Sequence, residues 1–272
     1  MSKTKNGYNH SCQRLVSQNV TQVILPQSFP SRLWNIDPVV TAHRLGFELS
    51  LDLRDNLQRC IYFTGKYEPQ TLTFICSELQ IGDTFIDVGA HIGIHSLVAV
   101  KKLKELGDGK VIAFEPTQDS SQKLLINAKA NNYDIELHKI ALGDETTEIP
   151  IFGDSDWGVH DAGVRSFFGN GQMIQMVKVD KFDNWNKKYA INRIDIIKID
   201  AEGAEYEILK GMSESILKYR PRCIIFEIKE SLLRKAGKNI SEILNLMKDL
   251  GYQPEGQVFE GNQVFRQCSS SL

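Results

Sequence analysis

Two stretches of the sequence carry acidic residues and glycines whose spacing could do chemistry. In the first, Asp87 is followed by Gly89 and Gly93. A short run of aromatic and β-branched residues precedes them and predicts a strand buried on both faces, and a helical pattern begins at Ile94. Strand, glycine turn and helix in this order open a nucleotide site in α/β sheets, where the ligand lies beyond the carboxyl ends of the strands and the strand order reverses.

The second stretch combines a lysine with several carboxylates. Residues 194–199 predict a buried parallel strand that contains Lys198 and ends at Asp200. Because side chains alternate along a strand, Lys198 and Asp200 share one face, and Asp200 lies beside the ligand crevice. Glu202 and Glu205 follow at a helix start, where the helix dipole favours negative charge. Each could face the reacting groups as a general base, or only cap the helix and order the loop.

A third carboxylate could join this group. Glu227 ends the next predicted strand, residues 222–227, and could form a cluster with Asp200 and Glu202. Mg²⁺ favours oxygen ligands, so such a cluster could bind it. The spacing does not require an ion, and we predict no metal cofactor.

The glycine spacing indicates which nucleotide derivative the first stretch binds. A dinucleotide site needs G-x-G-x-x-G, whereas this chain has D-x-G-x-x-x-G from Asp87 to Gly93. That spacing is similar to motif I of S-adenosylmethionine (SAM)-dependent methyltransferases. Backbone N–H groups near Gly89 and the helix start could face the methionine carboxylate, and Asp87 could lie below the cationic end of the cofactor. The alternative is a tight turn in another kind of α/β protein.

Further residues would complete the nucleoside pocket. Glu115 and Pro116 end the second predicted strand, about twenty residues beyond the glycine loop, where an acid accepts ribose hydroxyls of NAD or SAM. Glu115 could also cap the following helix. The third predicted strand and its exit loop span residues 135–144, and the backbone near Ala141 and Leu142 would border the adenine.

The elements around these stretches complete the predicted domain. Residues 47–53 alternate apolar and polar, as in a half-buried strand with which residues 60–63 could pair. A helix opens near Pro69, another has Ser241 as its cap, and residues 258–265 form a closing β-hairpin. The irregular segment 153–171 contains Trp157, His160 and Arg165, and we interpret it as a substrate lid.

Composition narrows the class of protein. The 272 residues are 42% hydrophobic and 24% charged, which suits one globular domain, residues 46–272, after an N-terminal extension, residues 1–45. The net charge of −2 gives no general attraction to nucleic acid or membranes. No apolar run approaches a membrane span, no signal peptide is recognised, and five scattered cysteines favour reduced thiols in a cytoplasmic protein. The extension could dock on the domain, line the substrate mouth or form a homodimer contact.

Taken together, these stretches resemble the FkbM family of SAM-dependent methyltransferases. The resemblance is carried by residues 82–93, 114–116, 197–205 and 209–211, with Tyr67-Glu68-Pro69 and Phe182-Asp183. It implies a class I methyltransferase fold: an α/β, Rossmann-like, doubly wound sheet, mostly parallel, with an antiparallel C-terminal hairpin strand. It also implies that Glu68, Ala90, His91 and Asp200 border the cofactor. His91 departs from the small polar residue usual in the family and could bond the loop or border the methyl acceptor.

The expected function is SAM-dependent O-methylation of a small natural product, a sugar or a modified peptide. Family members mostly methylate hydroxyls, and some relatives methylate carboxylates, including the C-terminus of modified cyanobacterial peptides. A hydroxyl acceptor gains from a general base, for which Asp200, Glu202 and Lys198 are the candidate catalytic residues. A carboxylate acceptor would instead need cations such as Lys198, Arg165 and His160. The alternatives are an NAD-dependent oxidoreductase, disfavoured by the missing G-x-G, and a non-catalytic SAM-binding module.

Overall fold

The computed structural model describes residues 38–152 and 173–268. The predicted lid with Trp157, His160 and Arg165, and all but the last eight residues of the predicted extension, lie outside the described residues, so the roles assigned to them stay predictions. None of the described helices combines the length and hydropathy that a membrane crossing requires.

Strands and helices alternate along most of the described chain. The strands are β1 (Val39–Arg44), β2 (Phe47–Asp52), β3 (Asp83–Val88), β4 (Gly109–Phe114), β5 (Glu136–His138), β6 (Ala141–Leu142), β7 (Thr147–Phe152), β8 (Met173–Asp180), β9 (Ile196–Ile199), β10 (Cys223–Glu227), β11 (Tyr252–Phe259) and β12 (Asn262–Gln267). The helices are α1 (Asn56–Thr64), α2 (Pro69–Glu78), α3 (Ile94–Leu106), α4 (Gln118–Ala130), α5 (Phe182–Tyr189), α6 (Glu205–Gly211), α7 (Ser213–Tyr219), α8 (Glu230–Lys235) and α9 (Ile240–Asp249).

The central sheet has the strand order β11-β12-β10-β9-β3-β4-β5. The five strands from β10 to β5 run parallel, and β12 is antiparallel to both of its neighbours. The chain moves outward from β3 through β4 to β5, then returns to β3's other side at β9. The strand order therefore reverses between β3 and β9, which is where such sheets bind ligands. The predicted α/β, doubly wound fold with an antiparallel closing strand is confirmed.

The middle strands are buried on both faces, as their apolar runs predict. All six residues of β3 and all four of β9 are buried. Phe85 and Ile196 pack into one apolar layer, and their neighbours Ile86 and Ile197 pack into the layer on the opposite face. Each fully buried side chain of this kind contributes about 1.5–3 kcal/mol. The rigid centre of the sheet thus holds the two chemistry-bearing strand ends side by side.

Smaller elements surround this sheet. Strands β6, β8 and β7 form a second sheet, and β1 pairs antiparallel with β2. Strand β1 falls inside the predicted extension, while the division at residue 45 stays a prediction. Residues 135–144, predicted as one strand and its exit loop, are divided between the two sheets, since β5 joins the central sheet and β6 pairs with β8.

Two local predictions were wrong. Residues 60–63 lie in α1, which Asp55 caps by accepting from the Gln58 amide at 2.8 Å, so they do not pair with β2. A four-residue apolar run does not distinguish strand from helix. The cap of α9 is Asn239, which forms a capping box with Glu242, rather than Ser241.

Candidate functional site

The glycine loop lies in close contact with the end of the neighbouring strand. Gly89 has φ of 77°, and a Cβ there would lie 1.8 Å from the backbone oxygen of Asp200. Gly93 has φ of 90°, and its Cβ would lie 2.7 Å from Leu124 Cγ on α4. Both positions therefore require glycine. The loop is thereby packed against the exit of β9 and against α4.

The loop amides are already engaged within the protein. Gly89 and Ala90 donate to the Phe114 carbonyl at 2.9 and 3.1 Å, and Gly93 donates to the Ala90 carbonyl. The His91 amide donates to Glu115 Oε2 at 3.0 Å. Gly89, Ala90 and His91 nevertheless line the cavity, and the contact of a ligand carboxylate with the amides near Gly89 and the helix start stays a prediction.

Glu115 orders this corner and retains capacity for a ligand. Its Oε1 accepts from the Thr117 amide at 2.8 Å and from Thr117 Oγ1 at 2.6 Å, in addition to the His91 bond at Oε2. A carboxylate accepts about four hydrogen bonds, so one site remains for a ribose hydroxyl. Sequence reasoning missed Gln175 on β8, whose side-chain amide donates to the Pro116 carbonyl at 3.2 Å and so connects the second sheet to this corner.

A cavity of about 480 Å³ opens at the point where the strand order reverses. This volume is within the usual range for small-molecule sites. The predicted residues that line it are Glu68, Gly89, Ala90, His91, Glu115, Pro116, Ala141, Leu142, Asp200 and Glu202. Lining residues without a predicted role include Asn56, Tyr67, His95, Ile151 and Lys229. The structure therefore brings together most of the predicted cofactor residues, with Asp87 and Lys198 buried beneath them.

Asp87 is a buried carboxylate with one oxygen unsatisfied. Its side chain is 1% exposed, Oδ2 accepts from Ser96 Oγ at 2.5 Å, and Oδ1 has no hydrogen-bond partner among the described residues. Burial raises the pKa of this carboxyl. The charges of His95 and Lys198 oppose this rise, and a cationic ligand nearby would favour the ionised carboxylate further. The residues present therefore fit SAM, whose sulfonium and ammonium groups are cations.

Lys198 is a buried counter-ion. It is fully buried, and its Nζ lies 3.5 Å from Asp200 Oδ2. Burial alone would lower its pKa, but Asp200, Glu68, Asp87 and Glu227 outweigh that effect and raise it. Because Lys198 does not line the cavity, the geometry does not support a direct catalytic role. Its charge acts on the carboxylates around it.

Three carboxylates converge at one side of the cavity. Asp200, Glu202 and Glu227 each place an oxygen within 4.8 Å of the others. Lys229 Nζ lies 2.7 Å from Glu227 Oε2 and 3.5 Å from Glu202 Oε1. Burial, followed by the charge of Asp200, raises the pKa of Glu202 to about 7, although Lys229 opposes this. The absence of a metal cofactor stays a prediction.

Glu205 and Glu202 have different roles. Glu205 is buried and accepts from the amides of Ala201 at 3.3 Å and Gly203 at 3.1 Å. Glu205 therefore orders the loop before α6, although no side-chain cap hydrogen bond forms at the start of this helix. Glu202 instead lines the cavity, with φ of 48°. Of the two, Glu202 is the one that can meet a ligand.

Tyr67 and Glu68 line the cavity and contact residues that the sequence analysis did not single out. Glu68 hydrogen-bonds His95 Nε2 at 3.2 Å and accepts from Asn262 Nδ2 at 3.1 Å. Burial opposes its ionisation, but His95, Lys198 and Asn262 lower its pKa to about 2. Burial raises the pKa of Tyr67, whose ring packs against His95. Position after Gly93 in the first turn of a helix could have indicated His95, whereas no sequence signal indicates Asn262.

The structure is compatible with both predicted roles of His91, which are bonding to the loop and bordering the methyl acceptor. Its amide bonds the loop through Glu115, as above, while its side chain lines the cavity. The ring Nε2 is buried and has no hydrogen-bond partner within the described residues. The backbone has φ of 51°, which is uncommon for a residue with a side chain.

Comparison with known proteins identifies the family. The profile described as "Methyltransferase FkbM domain" matches residues 87–254. The chain belongs to the FkbM methyltransferase family. This membership implies SAM as the methyl donor and removes the NAD-dependent oxidoreductase alternative.

Individual relatives are distant. The hexuronic acid methyltransferase AglP of Haloferax volcanii is 25% identical over 149 residues, which are 55% of this chain and 58% of that protein. The FkbM methyltransferase structure from Methylobacillus flagellatus KT is 18% identical with a TM-score of 0.47, covering 69% of this chain and 44% of that one. The structure of the Pyrococcus abyssi tRNA (uracil-54, C5)-methyltransferase, solved with S-adenosyl-L-homocysteine, is 11% identical with a TM-score of 0.46. The match covers 85% of this chain and 44% of that one.

Proposed function

We propose that this protein is a SAM-dependent O-methyltransferase that acts on a hydroxyl of a sugar, another small natural product or a modified peptide. The observation that carries the proposal is Glu202, a cavity-lining carboxyl with a pKa raised to about 7. A general base works best when its pKa lies near the operating pH.

The donor side of the cavity suits SAM. SAM supplies a methyl group whose carbon is made electrophilic by the attached sulfonium. Glu115 would accept a ribose hydroxyl, and Ala141 and Leu142 would border the adenine. The ionised Glu68 lines the cavity and would hold the cationic amino-acid end. The buried Asp87 does not line the cavity and would act on that end through its charge.

The acceptor side suits proton removal from a hydroxyl. Glu202 would take the proton of the acceptor hydroxyl, and SAM, when bound, would supply the methyl group to the acceptor oxygen and leave as S-adenosylhomocysteine. The protein's main contribution is to hold the two reacting atoms about 3 Å apart and in line. Burial, followed by the charges of Asp200 and Glu227, keeps the pKa of Glu202 high enough for it to accept that proton near neutral pH.

The charges of the described residues favour a hydroxyl over a carboxylate acceptor. Lys198 and Lys229 are both paired with carboxylates. A carboxylate acceptor would meet the negative cluster of Asp200, Glu202 and Glu227. The similarity to a hexuronic acid methyltransferase supports a sugar as the acceptor class, and hexuronic acids carry both hydroxyls and a carboxylate.

A calorimetric titration with S-adenosylhomocysteine (SAH) tests the donor site. We expect micromolar binding that is lost in Asp87→Ala and kept in Asp134→Ala, which removes an exposed carboxylate. Absence of binding to folded wild-type protein would refute SAM use.

Acceptors are then screened by mass for methyl addition, using neutral sugars, uronic acids, hydroxylated natural products and peptides. Mild alkali separates the two chemistries, because it hydrolyses a methyl ester and leaves a methyl ether intact. An alkali-stable product supports the hydroxyl proposal, and an ester contradicts it. SAH binding without any turnover across the panel would favour the non-catalytic binding module.

A further inference from the structure

The N-terminus of α2 is capped by a residue from the other end of the described chain. Glu68 occupies the N-cap position, yet its side chain makes no capping hydrogen bond. Glu260, in the turn between β11 and β12, accepts from the amides of Gln70 and Thr71, both at 3.1 Å, and from Thr71 Oγ1 at 3.0 Å. An N-cap residue normally satisfies these first amides itself. Glu260 therefore leaves the Glu68 carboxylate available for another role.

The Glu68 carboxylate is held by Asn262, the first residue of β12. Asn262 is 1% exposed, and its Nδ2 donates to Glu68 Oε2 at 3.1 Å and to Thr71 Oγ1 at 3.3 Å. Glu68 has φ of 34° and ψ of 57°, a backbone conformation that L residues seldom adopt. Such a conformation persists only when its surroundings determine it strongly. Asn262 and His95 supply those surroundings.

The same turn also touches the carboxylate cluster. A Cβ at Gly261 would lie 2.9 Å from Glu227 Oε1, and Asn262 is the register partner of Glu227 in β10. The turn Glu260–Asn262 thus contacts two of the carboxylates that line the cavity. Glu68 and this turn both lie outside the segment that the family profile matches, residues 87–254.

We propose that Asn262 is a positioning residue of the methyl-donor site, which fixes the Glu68 carboxylate to receive the ammonium group of SAM's amino-acid part. The inference rests on the proposed use of SAM. An ammonium offers three donors and no acceptor, so it needs a correctly oriented acceptor. Glu68 lines the cavity and is ionised at all working pH values, since its pKa is lowered to about 2. A neutral amide donor orients this carboxylate without cancelling its charge, and charge-assisted hydrogen bonds depend strongly on geometry.

Two ligands that differ only at the amino-acid end provide the test. SAH carries the ammonium, whereas 5′-methylthioadenosine keeps the adenosine and sulfur and lacks the amino-acid part. Calorimetric titrations of the full chain should show that Asn262→Ala weakens SAH binding about tenfold, the effect of one hydrogen bond to a charged group. Binding of 5′-methylthioadenosine should not change. Gln253→Ala, an exposed side-chain amide on β11 of the same hairpin, should change neither.

A double-mutant cycle with Glu68→Gln tests whether Asn262 acts by orienting the Glu68 carboxylate or only by stabilising the fold. If Asn262 acts through the Glu68 charge, the tenfold effect on SAH disappears in the Glu68→Gln background. Asn262→Asp keeps the shape and replaces the donor with a like charge, so it should weaken SAH at least as much, and it serves if the alanine variant unfolds.

Equal weakening of both ligands, or an undiminished effect in the Glu68→Gln background, would overturn the inference. If wild-type protein binds SAH and every Asn262 variant binds it equally well, the inference about Asn262 is overturned and the proposed function is not affected. Wild-type protein that is folded and binds neither ligand would overturn the proposed function, and this inference with it.

Discussion

Replacing Glu202 with glutamine should make the protein more stable and less active above neutral pH. Burial and the Asp200 charge raise the pKa of Glu202 from 4.5 to about 7, and the attraction of Lys229 is already included in that value. The folded carboxyl therefore holds its proton more tightly than the unfolded one. Between about pH 4.5 and 7 folding takes up a proton, so stability falls as pH rises through this window.

The size of the effect follows from the pKa difference. A difference of about 2.5, at 1.36 kcal/mol per pKa unit, destabilises the ionised fold by about 3 kcal/mol. The neutral amide of Glu202→Gln removes this cost, so the variant should gain up to about 3 kcal/mol at about pH 8.5 and little at about pH 4.5. Loss of the base should lower kcat/KM by about 10²- to 10⁴-fold. In the wild type kcat/KM should rise with pH around pH 7 as Glu202 loses its proton, and this rise should be absent in Glu202→Gln.

Urea unfolding at the two pH values, with pH profiles of methyl transfer, measures both effects. Glu230→Gln is the control, because Glu230 is an exposed carboxylate paired with Arg234 on α8 and should change stability by less than about 0.5 kcal/mol. The reasoning is refuted if Glu202→Gln is destabilised equally at both pH values. It is also refuted if the variant keeps the wild-type pH profile.

Three further substitutions test the geometry. Gly89→Ala should destabilise the fold by at least about 2 kcal/mol more than Gly237→Ala, because both have positive φ but only Gly89 would meet the Asp200 carbonyl; equal costs in urea unfolding would contradict this packing. Lys198→Met should lose about 3–5 kcal/mol, and less at low pH where the carboxylates left unpaired can be protonated; a loss independent of pH would show that charge is not the cause. Asn239→Ala should cost about 1 kcal/mol in thermal unfolding and Ser241→Ala almost nothing, and the reverse order would restore Ser241 as the cap.

The parts of the fold that the sequence predicts are those set by short, strongly patterned segments. The apolar runs that become β3 and β9 predict buried strands, and the structure places their exits at Gly89 and Asp200 side by side. The closing hairpin is also confirmed, although its turn is only Glu260 and Gly261. In each case the signal lies within a few neighbouring residues.

Features that depend on distant partners could not be predicted. Ala141 and Leu142 leave the central sheet because β6 pairs with β8, more than thirty residues away. Glu68 matches a family pattern, but nothing near it in the sequence shows that Asn262 holds it, 194 residues later. The raised pKa of Glu202 likewise arises from burial and from Glu227, which belongs to another strand.

Backbone strain explains why the motifs predict the site but not its geometry. Glu68, His91 and Glu202 all line the cavity, and all have positive φ although none is glycine. Each such conformation costs about 1–2 kcal/mol, and strain of this kind persists only where surrounding contacts determine it. Those contacts come from elsewhere: Glu68 is held by His95 and Asn262, and the His91 amide by Glu115. The motifs therefore specify which residues reach the cavity, while contacts with residues distant in the sequence fix the directions in which those residues point.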